Sequence, residues 1–189
     1  MREELIRQLT AYAPYNEQEA RDKETILHML ETTEDIFLRE NLLAHMTSSA
    51  WVQDFEHRHI LMAYHNIYQS WAWLGGHADG NEDLLQVAIK EVKEESGIRN
   101  VRPVTDRIFS IEVLTVDGHE KKGIYVPSHL HLNITYLLEA DRGESVQVKA
   151  DENSAVGWFT PPEAVEKSCE PWFQTRIYSK LNKKLEKMY

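Results

Sequence analysis

Three carboxylates, Glu91, Glu94 and Glu95, stand near the end of the run Gly75 to Ile98, GGHADGNEDLLQVAIKEVKEESGI. At about 100° per residue, helical spacing places them on one arc, one turn apart. The placement is electrostatically poor. Like charges one turn apart repel, and the last turn of a helix favours cations. Each effect costs from a few tenths to about 1 kcal/mol, so a solvated acidic face is one reading. A divalent cation gives the other, because Mg²⁺ prefers oxygen ligands, usually one or two carboxylates plus substrate phosphates.

Such chemistry needs a loop and a helix to hold it. Gly80 or Asn81 can cap the helix, and Glu82 and Asp83 complement its positive end. Leu85, Ala88, Ile89 and Val92 form a buried stripe. Gly97 supplies a left-handed stop, with Ile98 as its hydrophobic contact. Trp71 to Leu74 predicts a short strand running into Gly75-Gly76.

The flanking chain reads as alternating elements. Before about Thr47 it is helical: Leu5, Ile6 and Leu9 share a face, a second helix spans Glu17 to Leu30, and Thr33 caps a third carrying Ile36, Phe37 and Leu43. From Ser48 the pattern turns to strands, with Ser49–Val52 and Ile60–Tyr64 forming a hairpin around Asp54 to His59. After the acidic helix, Val101–Val104 and Ile108–Val116 read as strands, and Asp117-Gly118 as a type I′ turn. His129 to Leu138 alternates, with His129, His131, Asn133 and Thr135 on one face of a half-buried strand. Val156–Phe159 is a last strand. Thr160-Pro161-Pro162-Glu163 then opens a short helix to about Lys167. A terminal helix from about Pro171 buries Phe173, Ile177, Leu181 and Leu185 and exposes a basic end, LNKKLEK.

Composition narrows the partners. The 189 residues suffice for one domain with a real core. A formal net charge of -10 argues against polymeric nucleic acid, while a small phosphorylated substrate stays compatible through bound metal. The single cysteine, Cys169, allows no intrachain disulfide, so a reducing compartment is expected. With neither a signal-peptide pattern nor a long apolar run, the expectation is a cytoplasmic protein without a membrane partner.

Counted from Gly76, the run fits G-x5-E-x7-[RK]-E-U-x-E-E-x-G-U, where U is apolar. Gly76, Glu82, Lys90, Glu91, Val92, Glu94, Glu95, Gly97 and Ile98 fill its defined places, with Lys90 where arginine is usual. This pattern resembles the box of the Nudix hydrolase family. The resemblance implies an α/β/α sandwich around a mixed sheet, here with an N-terminal helical extension (1–46) and a hydrolase domain (47–189) ending in helices. It implies hydrolysis of a diphosphate linkage in a nucleotide derivative, with Glu91, Glu94, Glu95 and the backbone of Gly76 at one to three Mg²⁺ or Mn²⁺ ions. It further implies a Glu82–Lys90 pair that steadies the helix, and a general base among the box glutamates or Glu152.

Several residues have two readings. His77, in the box loop, either contacts a phosphate or a metal or is a solvated loop histidine. His129 and His131 either line a substrate cleft or lie on a covered polar face. Trp71 and Trp73 share a side, for core packing or base stacking, with Trp73 the candidate substrate contact. Cys169 has no catalytic role. The N-terminal helices pack on the core or on a second subunit of a homodimer. Two alternative functions are a Nudix-type isopentenyl diphosphate isomerase, suggested by the many histidines, and a non-catalytic nucleotide-binding module. The isomerase chemistry uses a cysteine near the box, whereas Cys169 lies far downstream; binding modules usually lose box glutamates.

Overall fold

The computed structural model describes residues 1–121 and 123–189. Two helices, α1 (Arg2–Ala11) and α2 (Glu17–Thr32), begin the chain, and the Asn16 side chain caps α2 by accepting from Glu19 N at 2.9 Å. The expected third helix is absent. Thr33 ends α2 instead of starting a helix, and residues 34–40 form turns. Ile36 and Phe37 are buried, but their carbonyls accept from Met46 N and Gly80 N, so this backbone bonds outward to a strand and the box loop. Leu43 is 79% exposed, which removes the apolar stripe that a helix there would need.

The strands follow: β1 (Ala44–Asp54), β2 (Ile60–His65), β3 (Ser70–Ala72) and β4 (Leu74–His77). β1 begins four residues before Ser48, and the strand expected at Trp71 to Leu74 splits at Trp73, where the chain changes partner from β2 to β1. After α3 (Leu84–Ser96) come β5 (Val101–Pro103), β6 (Ser110–Val116), β7 (His119–Lys121), β8 (Ile124–Val126), β9 (His129–Ala140) and β10 (Asn153–Phe159). α4 (Pro161–Lys167), a π-helical turn (Phe173–Tyr178) and α5 (Ser179–Glu186) close the chain. Glu163 accepts from both the backbone N and the hydroxyl of Thr160, which fixes the start of α4. Asp117-Gly118 is not the expected hairpin turn. It links β6 to β7, while the reversal of the small β7–β8 hairpin falls near Gly123, whose φ is +79°.

The main sheet has eight strands in the order β10-β2-β1-β9-β5, with β3 on β2, β4 on β1 and β6 on β9. β1 and β9 run parallel and the other described pairs run antiparallel, so the sheet is mixed. Alternation sorts the side chains. Met46, Ala50, Val52, Ile134, Tyr136 and Leu138 join one core with residues of α1, α2 and α3. Trp51, Ile60, Met62 and Leu137 join a second with Ile177, Tyr178, Leu181 and Leu185 from the C-terminal helices. Helices thus cover both faces, the α/β/α arrangement expected. Two expectations of exposure fail. β9 is a central strand and buried on both faces, and Lys184 from the basic end turns inward to Glu19 at 2.8 Å. Among the described residues no helix is long and apolar enough to cross a membrane.

Candidate active site

The box helix starts two or three residues later than Gly80 or Asn81 as its cap would place it. Asp83 is its N-cap and accepts from Gln86 N at 3.2 Å, while Gly80 sits in the preceding turn with φ +85°. At the other end Gly97 adopts φ +74° and donates to the Lys93 carbonyl, and Ile98 is fully buried, as expected. The face that meets the sheet is Leu84, Val87, Ala88, Glu91, Val92 and Glu95, so Leu85 and Ile89 of the expected stripe are only half-buried. Two of the three glutamates therefore point inward. Glu94 faces solvent.

The inward pair is shaped by the glycine strand. Gly75 N donates to Glu95 Oε2 at 3.1 Å. A Cβ at Gly76 would lie 2.7 Å from Glu91 Cδ, so a side chain there collides with a box carboxylate. Lys90 Nζ reaches Glu91 and Glu94, each at 3.1 Å. Lys149 Nζ lies 3.0 Å from Glu152 and 3.5 Å from Glu94, which brings Glu152 to the same cluster. Buried Asn153 fastens this turn by donating to the Glu95 carbonyl at 3.0 Å and accepting from Lys149 N at 3.1 Å. Lys149 and Asn153 were not singled out in the sequence; their signal was proximity to Glu152.

Burial, reinforced by Glu91 and Glu152, pushes the Glu95 carboxyl up to about 8, with the Gly75 N–H a partial offset. Lys90 holds exposed Glu94 below its usual range. Three carboxylates, Glu91, Glu94 and Glu152, thus share two ammonium groups, and Glu95 lies buried beside them on the Gly75 N–H.

The other expected residues separate. Glu82 does not pair with Lys90. It precedes the helix and accepts from Arg2 N at 2.8 Å, with the N-terminal ammonium 3.8 Å away, while Lys90 is engaged by Glu91 and Glu94. Trp73 packs edge-on against Phe173 and Tyr178 and donates its backbone N–H to Tyr178 Oη, within the second core. His77, His129 and His131 come together on the polar sheet face, joined by His45, which sequence reasoning missed. The signal was the alternation His45, Thr47, Ser49, matching that of His131, Asn133, Thr135 on β9. Burial and the surrounding imidazoles push His131 down to about 2. Cys169 is exposed on a loop, its thiol 3.4 Å from the Gln69 carbonyl.

A mixed sheet between helices, edged by a glycine loop and a carboxylate-bearing helix, defines an α/β protein built to gather acidic side chains. Residues 43–181 match the NUDIX domain, and the chain belongs to the Nudix family. It is a hydrolase acting on pyrophosphate bonds. Among solved structures, a Nudix-family hydrolase from Clostridium perfringens is similar at 18% identity and TM-score 0.52, over 73% of this chain and 96% of its own. A C. elegans Ap4A hydrolase binary complex is similar at 19% and 0.50, over 75% and 98%. The E. coli dihydroneopterin triphosphate pyrophosphohydrolase is similar at 16% and 0.50, over 71% and 92%. At these identities the likeness is one of fold. A sequence comparison with curated proteins gave no match.

Proposed function

We propose that this protein hydrolyses a diphosphate linkage in a small phosphorylated molecule, a nucleoside diphosphate derivative or a close analogue, with Mg²⁺ or Mn²⁺. The observation that carries this reading is buried Glu95 beside Glu91, under a glycine strand that leaves room for no other side chain. Glu91, Glu94, Glu95 and Glu152, with the Gly76 backbone, would hold the ion; it would neutralise the phosphates and lower the pKa of the attacking water. The general base would be a box glutamate such as Glu95, or Glu152, ionised beside the bound ion; Glu152 is paired with Lys149 at 3.0 Å. Lys90 orients Glu91 and Glu94 together.

Residues 1–46 serve as an extension of the 47–189 domain, supported by the burial of Leu5, Leu9, Ile26 and Leu30 in its core. The formal charge of -10 supports a small cytoplasmic substrate over a polymeric nucleic acid.

The test is a panel of nucleoside diphosphate derivatives with Mg²⁺ or Mn²⁺ and product detection. Expected is cleavage to phosphate-bearing products, lost in Glu95→Gln. Interconversion of an allylic diphosphate pair without phosphate release would identify an isomerase instead. Ligand-induced stabilisation without turnover would identify a binding module.

A further inference from the structure

We propose that His45, His77 and His131, with His129 beside them, form a second metal site that takes a nitrogen-preferring transition ion of the Zn²⁺ class. The proposal stands apart from the hydrolase reading. β1 lies between β4 and β9, and the registers Thr47↔His77 and His45↔His131 bring the three side chains to one sheet face. One ring nitrogen from each lies within 4.8 Å of the others. The ring centroids of His45 lie 5.0 Å from those of His77 and His131 and 4.8 Å from that of His129.

The hydrogen bonds select the tautomers. His45 Nδ1 lies 3.0 Å from the Asn41 carbonyl, and His129 Nδ1 lies 2.8 Å from that of Pro127. A carbonyl only accepts, so each Nδ1 carries the proton and each Nε2 presents a lone pair. Metal-binding histidines are oriented by this kind of backbone carbonyl contact. His45 is 4% exposed, and its Nε2 has no hydrogen-bond partner. A buried acceptor left unpaired costs about 1–3 kcal/mol, and a histidine serving only to fill a core would be expected to satisfy it. His129 Nε2 lies 3.2 Å from His131 Nε2, so these nitrogens also converge. Arg39 and Asp79, which act electrostatically on His45, neutralise each other through a paired salt bridge.

The site differs from the box in face and in chemistry. Ser48 and Gly76 share the opposite side of the sheet, where the Ser48 hydroxyl donates to the Leu84 carbonyl of α3. Imidazole nitrogens suit Zn²⁺, Ni²⁺ or Cu²⁺, and carboxylate oxygens suit Mg²⁺ or Mn²⁺. Two adjacent donor sets therefore divide the ions between them.

The experiment uses the full chain, free of any histidine tag and dialysed against chelator. Co²⁺ is titrated in the presence of excess Mg²⁺, with visible ligand-field absorption and bound-metal analysis as readouts. One equivalent of Co²⁺ should bind, be displaced by Zn²⁺, and persist in a Glu94→Gln, Glu95→Gln double variant. His131→Gln and His77→Gln should each weaken binding by more than the roughly 10–100-fold seen when a partner outside the ligand set is lost. Thermal unfolding checks the fold of each variant, and half-buried His77 carries the test where His131→Gln does not fold. Absence of stoichiometric Co²⁺ binding, or binding lost in the glutamate variant and kept in folded histidine variants, overturns the proposal.

Discussion

Two groups of carboxylates in this molecule meet opposite fates. Glu19 and Glu112 are fully buried, and each has strong donors on all sides. Glu19 takes Tyr12 Oη at 2.6 Å, Tyr15 N at 2.7 Å and Lys184 at 2.8 Å; Glu112 takes Lys180 at 2.9 Å, Thr135 at 2.8 Å and Asn133 at 3.0 Å. Lys180 also bridges to Glu19 at 3.2 Å, so two carboxylates face two ammonium groups. In the box, Glu91, Glu94 and Glu152 share Lys90 and Lys149, and Glu95 takes only a backbone N–H, from Gly75, among the described residues. The first group is saturated and joins α2, β6, β9 and α5. The second is short of positive charge and opens to solvent at Glu94. Buried acid by itself says little; the balance of its partners separates scaffold from site.

The largest effect should come from the saturated group. Lys180→Met leaves Glu19 and Glu112 short of a cation and should cost about 3–5 kcal/mol of unfolding free energy in urea titrations. Hydrolysis by the remaining folded protein should be retained; a loss of activity without a loss of stability would erase the distinction between the groups. Glu95→Gln should do the reverse, lowering turnover by roughly 10²–10³-fold, a magnitude typical of removing one group that stabilises charge in the transition state.

Acid titration should separate them by sign. Burial opposes ionisation of Glu19, but Lys180 and Lys184 prevail and hold its carboxyl at about 2. Its stabilisation is present above about 4.5 and lost as pH falls towards 2. Glu95, raised to about 8, behaves oppositely: in metal-free protein its stabilisation is present below about 4.5 and lost as pH rises through 8. Each contributes a few kcal/mol at most. Melting temperatures across pH should therefore show a decline between about pH 4.5 and 8 that Glu95→Gln flattens and Glu19→Gln leaves in place. The smallest effect belongs to Glu82→Gln. Its partners are the N-terminal ammonium and Arg2 N, both on partly exposed ground, so the change should stay within about 1 kcal/mol with turnover little altered.

The box helix and most strands were legible in the sequence because their signals are local. Gly97 needs its left-handed turn and Thr160 its cap, whatever lies elsewhere. The failures share one cause, partners distant along the chain. Ile36 and Phe37 have helix-like spacing, yet their carbonyls bond to Met46 and Gly80. Glu82 has the right spacing for Lys90, but the chain's first residues reach it first. His45 falls in a segment whose local pattern is helical, and only its pairing with His131 reveals its face. Lys180 and Lys184 read as surface charge until Glu19 and Glu112 arrive from segments far upstream.

The parallel pairing of β1 with β9 also sets an order of events. Thr47 and Asn133, which face each other across it, are 86 residues apart. Closing a flexible loop of that length costs about 4 kcal/mol of chain entropy before any contact repays it. The antiparallel β6–β9 pair closes a much shorter segment and can form earlier, leaving β1 to dock late. The four imidazoles would then remain apart through most of folding, and their encounter would report that its slow, long-range step is complete.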